Sequence, residues 1–312
     1  MSAQEAVSIG VDLGGTHIKY AVIRVQGDIL WEGSRPTRSG VSKKAVLENV
    51  IACVEEAKNQ ASEAGYTPLC AGVGTPGLVD VEKGLVRGGA FQLPDWNNVA
   101  LRDIVSNATG LPVFVDNDAN MMGLGECVYG NVGKCRNMIF LTIGTGIGGA
   151  IIINEELYRG HNYAGSELGC FMMFFEGKTA YWEDFASTEA MIQRYRQKAG
   201  DVPDKETING HYIFEKYRAN NPVAVDVVDE NTHLIGLGVA GYLNIFNPEM
   251  VVIGGGISEA GEFYIDKIRK VALKYAMKEC SEGVKIRAAS LGNKAGFLGA
   301  GYFAMKQLKV KK

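Results

Sequence analysis

The sequence predicts an α/β protein of two lobes, each built on its own copy of one mixed β-sheet flanked by helices. Two observations carry that reading. The stretches Asp12-Leu13-Gly14-Gly15-Thr16-His17-Ile18-Lys19 and Ile143-Gly144-Thr145-Gly146-Ile147-Gly148-Gly149 look alike, and each lies between two β-rich runs. The flanking runs are Val7 to Val11 and Tyr20 to Val25 in the first copy, and Met138 to Thr142 and Ala150 to Ile153 in the second. The order downstream of each copy also repeats: helix, strand, helix, strand, as in a duplicated mixed sheet with helices packed on it.

Residues 7–35 read as three successive strands, with Gln26-Gly27-Asp28 turning between Ala21 to Arg24 and Ile29 to Glu32. A helix is predicted over 42–64. Leu47, Val50, Ile51, Val54 and Ala57 recur at helical spacing, Ser42 can cap the start, and Gly65 ends it. Leu69 to Val73 reads as a short buried strand running into Gly74-Thr75-Pro76-Gly77. Val113 to Asp116 is another, and it runs into Asn117-Asp118-Ala119-Asn120, where a helix begins.

The second half replays this order. Residues 138–158 give strand, glycine turn, strand and a hairpin at Asn154-Glu155. A long helix spans 223–245, Met250 to Ile253 is a buried strand ending in Gly254-Gly255-Gly256, and 262–280 is helical. In that last helix Ile265, Ile268, Ala272 and Tyr275 share a face. Lys285 to Ala289 is the last strand and a helix near 296–307 closes the chain. The lobe boundary is placed just after Asp118, giving lobes of 1–118 and 119–296, with the closing helix 297–312 crossing back to the first lobe.

Composition narrows the function classes. The net charge of −3 leaves no basic excess for neutralising a nucleic-acid backbone. Lys306, Lys309, Lys311 and Lys312 make the tail locally basic, which suits a solvated helix end. The six cysteines show no C-x-x-C pair and no close Cys/His cluster, so they read as mostly buried thiols in a reducing compartment. A strand starts near residue 7, leaving no room for a signal peptide, and no apolar run is long enough to span a bilayer. The expectation is a cytoplasmic protein without nucleic-acid or membrane partners. Glycine reaches 40 of 312 residues, nearly twice its usual share of roughly 7%, and it clusters between strands, as in ligand-binding α/β enzymes.

A glycine turn brings bare backbone N–H groups against a phosphate, so two such turns point to a nucleotide gripped by two lobes. Gly144 to Gly149 also fits the dinucleotide pattern G-x-G-x-x-G, but that fingerprint needs a helix after the glycines. Here the β-branched run Ala150-Ile151-Ile152-Ile153 comes next, which prefers strand, and no Walker loop exists in the chain. Phosphoryl transfer needs charge neutralisation, alignment and help for the attacking hydroxyl. The first turn offers N–H donors at Gly14, Gly15 and Thr16, the Thr16 hydroxyl and Lys19. Asp12 is placed to hold Mg²⁺ or its waters. Asp118, just past a strand end, is the candidate general base, with Asn117 beside it for neighbouring hydroxyls. Asn117 or Asp118 can equally cap the following helix, and the two roles are compatible.

These pieces together resemble the ROK family of sugar kinases, within the actin/hexokinase superfamily, nearly end to end. Asp12-Leu13-Gly14-Gly15-Thr16 resembles the family's first phosphate motif. Gly74-Thr75-Pro76-Gly77 resembles its G-x-P-G loop near the sugar, and Asp116-Asn117-Asp118-Ala119-Asn120 its E-N-D-A-N segment, whose aspartate is the base. Leu141 to Gly149 and Gly160 to Gly169 resemble the family signature. The resemblance implies a two-lobed actin-like ATPase fold of ribonuclease H-like sheets. It also implies an ATP- and Mg²⁺-dependent hexose kinase, glucokinase- or hexokinase-like, acting at the 6-position, and a homodimer. Nucleotide contacts would come from Gly14 to Thr16, from Gly144, Thr145 and Gly146, and from Gly254, Gly255 and Gly256. Gly77, Asn117, Glu167 and Glu183 would contact sugar.

The chain departs from the family pattern at its zinc loop. Cys170 stands where the family has a histidine that binds both zinc and sugar, and the shorter Gly177-Lys178-Thr179-Ala180-Tyr181 replaces a cysteine-rich loop. A lone thiol is not a zinc site, so no structural zinc is expected. The apolar run Phe171 to Phe175 then either supports this loop by packing or forms an ordinary buried strand. Gln92 stands where many relatives have asparagine. Glucose, mannose, fructose, allose and N-acetylated hexosamines stay open as substrates. A sugar-responsive repressor of the same family is the non-enzymatic alternative. Such members carry a helix-turn-helix module before the first glycine motif, which here begins at Asp12.

Overall fold

The computed structural model describes residues 5–131, 135–200 and 208–310. The first half forms strands β1 (Ala6–Leu13), β2 (His17–Ile23) and β3 (Ile29–Pro36), helix α1 (Lys43–Glu63), strand β4 (Thr67–Thr75) and a small hairpin of β5 (Leu78–Asp80) and β6 (Leu85–Gly88). Helix α2 (Leu101–Thr109), strand β7 (Val113–Asn117) and helix α3 (Asp118–Tyr129) come next. The second half opens with β8 (Met138–Ile143), β9 (Ile147–Ile153) and β10 (Glu156–Leu157). Strands β11 (Met172–Phe175) and β12 (Lys178–Tyr181) lead into helices α4 (Trp182–Ala186), α5 (Thr188–Lys198), α6 (Gly210–Arg218) and α7 (Pro222–Phe246). Strand β13 (Met250–Gly254), helices α8 (Glu262–Tyr275) and α9 (Lys278–Ser281), strand β14 (Lys285–Ala288) and helix α10 (Ala295–Val310) complete the chain.

The two main sheets have one topology written twice. Their strand orders are β3-β2-β1-β4-β7 and β10-β9-β8-β13-β14. In each, the hairpin partner is antiparallel (β1 with β2, β8 with β9), while the strands on the other side run parallel. The sheet is therefore mixed, as predicted, and strand β9 comes after the second glycine turn where a dinucleotide fold would need a helix. Local signals behave as their chemistry requires. Ser42 Oγ accepts the Ala45 N–H at 3.2 Å to cap α1. Asn154 and Glu155 both take positive φ (53° and 69°), the pairing of a two-residue hairpin turn.

The chain divides into two compact units, residues 1–134, 157–165 and 293–312 in one and 135–156 and 166–292 in the other. This differs from a boundary just after Asp118, because α3 and a short segment at 157–165 belong with the first unit. The reason lies in small residues. Helix α10 packs on β1, β4 and α3 so closely that a Cβ on Gly72 would sit 1.9 Å from the Ala300 carbonyl oxygen, and one on Gly299 would sit 1.8 Å from that of Met121. Cys70, Phe114, Met121, Leu124, Ala300, Phe303, Ala304 and Met305 close this layer as one buried cluster. The other face of the same sheet packs on α1 through Val46, Val50, Val54 and Ala57.

The second unit has its own core, centred on α7 and including Trp182, Tyr264, Leu141 and Ile253. Trp182 is fully buried and its Nε1–H donates to the Leu234 carbonyl at 3.0 Å. Phe171 stacks on it, with ring centroids 5.2 Å apart. The run Phe171 to Phe175 is thus not a buried strand. Met172 and Phe174 on β11 are exposed (58% and 72%), while Met173 and Phe175 pack against the core, the alternation of a hairpin covering one face only. Among the described residues all six cysteines are free thiols, with Cys53, Cys70 and Cys135 buried and the other three half-buried. No described helix is long and apolar enough to cross a membrane.

Candidate active site

In the first unit the carboxyl ends of three parallel strands lie level. Asp12 on β1 pairs with Gly74 on β4, and Gly74 pairs with Asp116 on β7. Open α/β sheets bind ligands at this edge. The first glycine turn leaves it between β1 and β2. Its carbonyls are all occupied: Thr37 Oγ1 donates to Gly14 O at 2.7 Å, Ser39 Oγ to Gly15 O at 2.8 Å, and the Thr37 N–H to Thr16 O at 2.8 Å. With the carbonyl lone pairs turned away, the turn can meet an anion with N–H groups. Gly14 departs from its expected part. Its N–H donates to the His17 carbonyl at 3.1 Å and closes the turn, so the donors left for a phosphate are those of Gly15 and Thr16. Gln92 covers Gly15, its Oε1 lying 2.8 Å from where a Cβ there would be.

Two acidic groups dominate the electrostatics of this edge. Burial pushes the Asp12 carboxyl up to about 7, the Asp118 charge adds to the rise, and Lys19 opposes it. Lys19 sits opposite Asp12 in the hairpin register and donates from Nζ to Asn293 Oδ1 at 2.7 Å. Gly296, in the first turn of α10, packs on Asp12 so that a Cβ there would lie 2.5 Å from the carboxyl carbon. The start of that helix adds only a partial positive charge. Asp118 is also raised, by burial first, with the Ala119 N–H bond and the Asn117 side chain pulling the other way. Two carboxyls short of positive charge beside free turn N–H groups fit a phosphate that arrives with a hard cation.

Asp118 occupies the first helical position of α3. Its Oδ1 accepts the Ala119 N–H at 2.9 Å. Asn117 is the cap, accepting the Asn120 N–H at 3.1 Å, and its Nδ2 donates to Gly77 O at 3.1 Å. Gly77 has φ of +98°, and a Cβ there would lie 2.5 Å from Gly88 O. The cap and the candidate base are therefore neighbours, and Gly77 is tied to them. Trp96, buried, donates from Nε1 to Thr75 Oγ1 at 2.9 Å beneath this loop.

In the second unit β8 and β13 run parallel, Thr142 level with Gly254. Gly255 takes φ of +85° and lies against the end of β8, where a Cβ would meet the Ile143 carbonyl oxygen at 2.3 Å. This brings Gly254 to Gly256 beside the turn of Gly144, Thr145 and Gly146. The turn is closed by the Gly144 N–H on Gly146 O, and Gly144 O accepts the Thr188 N–H, both at 2.9 Å. Neither Gly144 nor Gly256 has any atom within 4 Å of a Cβ position, so bare backbone faces open space at both.

Glu183 does something its sequence context did not reveal. Its Oε2 accepts the Ile147 N–H at 2.9 Å, directly beside Gly146, while Oε1 lies 4.0 Å from Cys170 Sγ. A residue expected to hold sugar thus also braces the second glycine turn. Cys170 ends a short 3₁₀ turn begun by Glu167, whose carbonyl accepts the Cys170 N–H at 3.1 Å. Burial and then the charges of Glu183, Glu167 and Asp184 raise the Cys170 thiol, which keeps it protonated and unreactive. Among the described residues no group of three or more His, Cys, Asp or Glu is arranged to hold a metal ion.

Sequence patterns do not single out Thr37, Ser39 or Arg159. The first two leave no local signal, because they reach the turn from the end of a third strand. Arg159 donates to Asp116 and adjoins the Gly160 to Gly169 segment that carried part of the resemblance.

Residues 8–307 match the ROK family. The chain belongs to the ROK family. This ROK protein is 33% identical to a glucokinase of Streptomyces coelicolor, over 94% of its own length and 96% of that enzyme's. It is 31% identical to the xylose repressor of Caldicellulosiruptor bescii, over 93% of its own length and 76% of the repressor's. Its fold follows that of a ROK family glucokinase from Streptomyces griseus solved with glucose and AMPPNP. The TM-score is 0.82 at 32% identity, covering 96% of this chain and 99% of that one. The actin-like ATPase fold that the family resemblance implies is that of the ROK kinases among its structural neighbours.

Proposed function

We propose that this protein transfers the γ-phosphoryl group of ATP to a hexose hydroxyl, the 6-hydroxyl of a glucose-like sugar being the first choice. The observation that carries the reading is Asp118 itself: a carboxyl at the carboxyl edge of a parallel sheet, its base strength raised by burial, beside Asn117 and Gly77. Two related proteins that share the whole length of the fold are glucokinases, and one of them was solved with glucose and an ATP analogue.

In this reading Asp118 accepts the proton of the attacking hydroxyl at one of its carboxylate oxygens, while Asn117 and Gly77 hold neighbouring sugar hydroxyls or the loop that does. Glu167 and Glu183 hold further sugar hydroxyls. Gly15 and Thr16, with Lys19, receive phosphate at the first turn, and Gly144 to Gly146 and Gly254 to Gly256 receive nucleotide at the second. Asp12 would hold Mg²⁺ or its waters, and the ion would supply positive charge to offset the phosphates. The same reading includes a homodimer, which rests on the family, and a cytoplasmic location, which rests on cysteines without paired spacing.

A coupled ADP-release assay over glucose, mannose, fructose, allose and N-acetylhexosamines, ranked by kcat/KM, tests the proposal. One hexose should stand out by at least about tenfold over its epimers, because a site built on buried hydroxyl partners rejects sugars that leave them unpaired. Hexose binding by calorimetry without any ADP release would favour the regulatory reading, which the repressor relative keeps open.

A further inference from the structure

The carboxylate of Asp116 is almost wholly buried, its side chain 2% exposed, and all of its acceptor capacity is used. Oδ2 takes two bonds from one guanidinium, Arg159 Nε at 2.8 Å and Nη2 at 2.6 Å. Oδ1 takes the Asn117 N–H at 2.7 Å and Asn120 Nδ2 at 3.1 Å. Those last two donors flank Asp118. One belongs to the residue just before it, the other to the first turn of α3 just after it. Arg159 is itself held on other sides. Its Nη1 donates to Leu157 O at 3.3 Å, and its guanidinium lies over the Phe303 ring, 5.5 Å from the centroid.

Arg159 comes from the segment 157–165, which is part of the first unit although its sequence neighbours on both sides belong to the second. The segment is tied down again at Asn162, whose carbonyl accepts Arg87 Nη1 at 2.8 Å, and at Tyr163, which bonds to Glu82. We infer that Arg159, acting through Asp116, is a positioning residue for Asp118. The inference rests on the kinase reading for its catalytic consequence. The physical reason is that a buried carboxylate without its cation is costly. Without Arg159, Asp116 loses both donors on Oδ2 and must turn toward water, which releases the Asn117 and Asn120 bonds that set the direction of Asp118. Arg159 bonds Asp116, and Asp116 in turn bonds Asn117 and Asn120 on either side of Asp118, so Arg159 works by geometry.

The test uses the full-length protein as wild type, Arg159→Gln, Arg159→Ala, Arg159→Lys, Asp116→Asn and the Arg159→Gln/Asp116→Asn pair. Each is measured for kcat, KM for the best hexose and for ATP, melting temperature, and hydrogen exchange over residues 116–121. Arg159→Gln should lose roughly 10- to 100-fold in kcat with both KM values within about threefold, the effect of a reacting group displaced by about an ångström. The acid midpoint of its rate profile should stay where wild type has it. Exchange at 116–121 should quicken while the rest of the protein exchanges as before. The double variant should be no slower than the slower single variant, since both break one linkage. Added guanidinium should restore part of the rate of Arg159→Ala.

Full kcat in Arg159→Gln, or single losses that multiply in the pair, would overturn the inference. If Arg159→Gln does not fold, Arg159→Lys decides: it keeps the charge but not the paired N–H geometry, and should be several-fold slow, wild-type rate refuting the claim. If wild type phosphorylates none of the sugars, the kinase reading fails. The exchange measurement still decides whether Arg159 orders the Asp118 loop, unchanged exchange at 116–121 counting against it.

Discussion

Glu183 Oε2 and the Ile147 N–H are 2.9 Å apart, so one carboxylate both braces the second glycine turn and faces Cys170. In the proposed reading, a residue with that double attachment links sugar binding to nucleotide binding. Glu183→Ala should raise KM for ATP as well as for the sugar, each by about tenfold or more, because a turn whose N–H loses its charged acceptor loosens. A rise in the sugar KM alone would show that the Ile147 bond does not matter to the nucleotide.

Asp118→Asn should lower kcat by at least about a hundredfold with sugar affinity nearly unchanged, since a general base acts on the transition state rather than on binding. Steady-state kinetics and calorimetric sugar binding together check it, and turnover above roughly a tenth of wild type removes Asp118 as base.

The Asp118 carboxyl is raised by burial, and a base works only when deprotonated. The acid limb of kcat/KM should therefore fall at a pH above the ordinary aspartate range of about 4. A profile flat down to pH 4 would contradict this.

Asp12 is raised to about 7 from 3.8. A carboxyl whose folded pKa exceeds its unfolded one contributes stability that is complete below the unfolded value and is lost as pH rises through the folded value. Without ligands the protein should thus lose stability between about pH 4 and pH 7 from this group. A cation facing the ionised Asp12 should recover it, so millimolar Mg²⁺ should raise the melting temperature more at pH 8 than at pH 6. An Asp12→Asn variant should lose that difference.

Gly72→Ala places a methyl carbon 1.9 Å from the Ala300 carbonyl, a backbone atom in a helix core that cannot step aside. It should destabilise by about 1–3 kcal/mol or more, read as a lower denaturant midpoint. The more open Gly144→Ala should leave stability near wild type, because no atom lies within 4 Å of its Cβ position, and should raise the ATP KM if the proposed nucleotide site is right.

The duplicated sheet is readable from the chain because β-branched runs and glycine turns are local signals, and both copies obey them strand for strand. A cap at the start of α3, at Asn117 or Asp118, and a strand over Ala150 to Ile153 are readable for the same reason, while the choice of Asn117 and the start of β9 at Ile147, inside the predicted turn, are not. Helices α4, α5 and α6 are not, since their apolar positions serve a core shared with α7 rather than a clean stripe of their own.

Sequence alone determined the set of groups brought to the sheet edges: Asp12, Gly15, Thr16, Asp118, Gly144 and Gly255 each lie at the end of a strand or just after it, although β1, β7, β8 and β13 each run one or two residues past their predicted ends. Tertiary structure decided the partners. Thr37 and Ser39 turn the carbonyls of the first loop away, Arg159 crosses to Asp116, Glu183 reaches Ile147, and α3 joins the unit of α10. Those outcomes depend on which distant atoms satisfy a buried charge or a bare N–H, and satisfaction over such distances leaves no period or spacing in the chain.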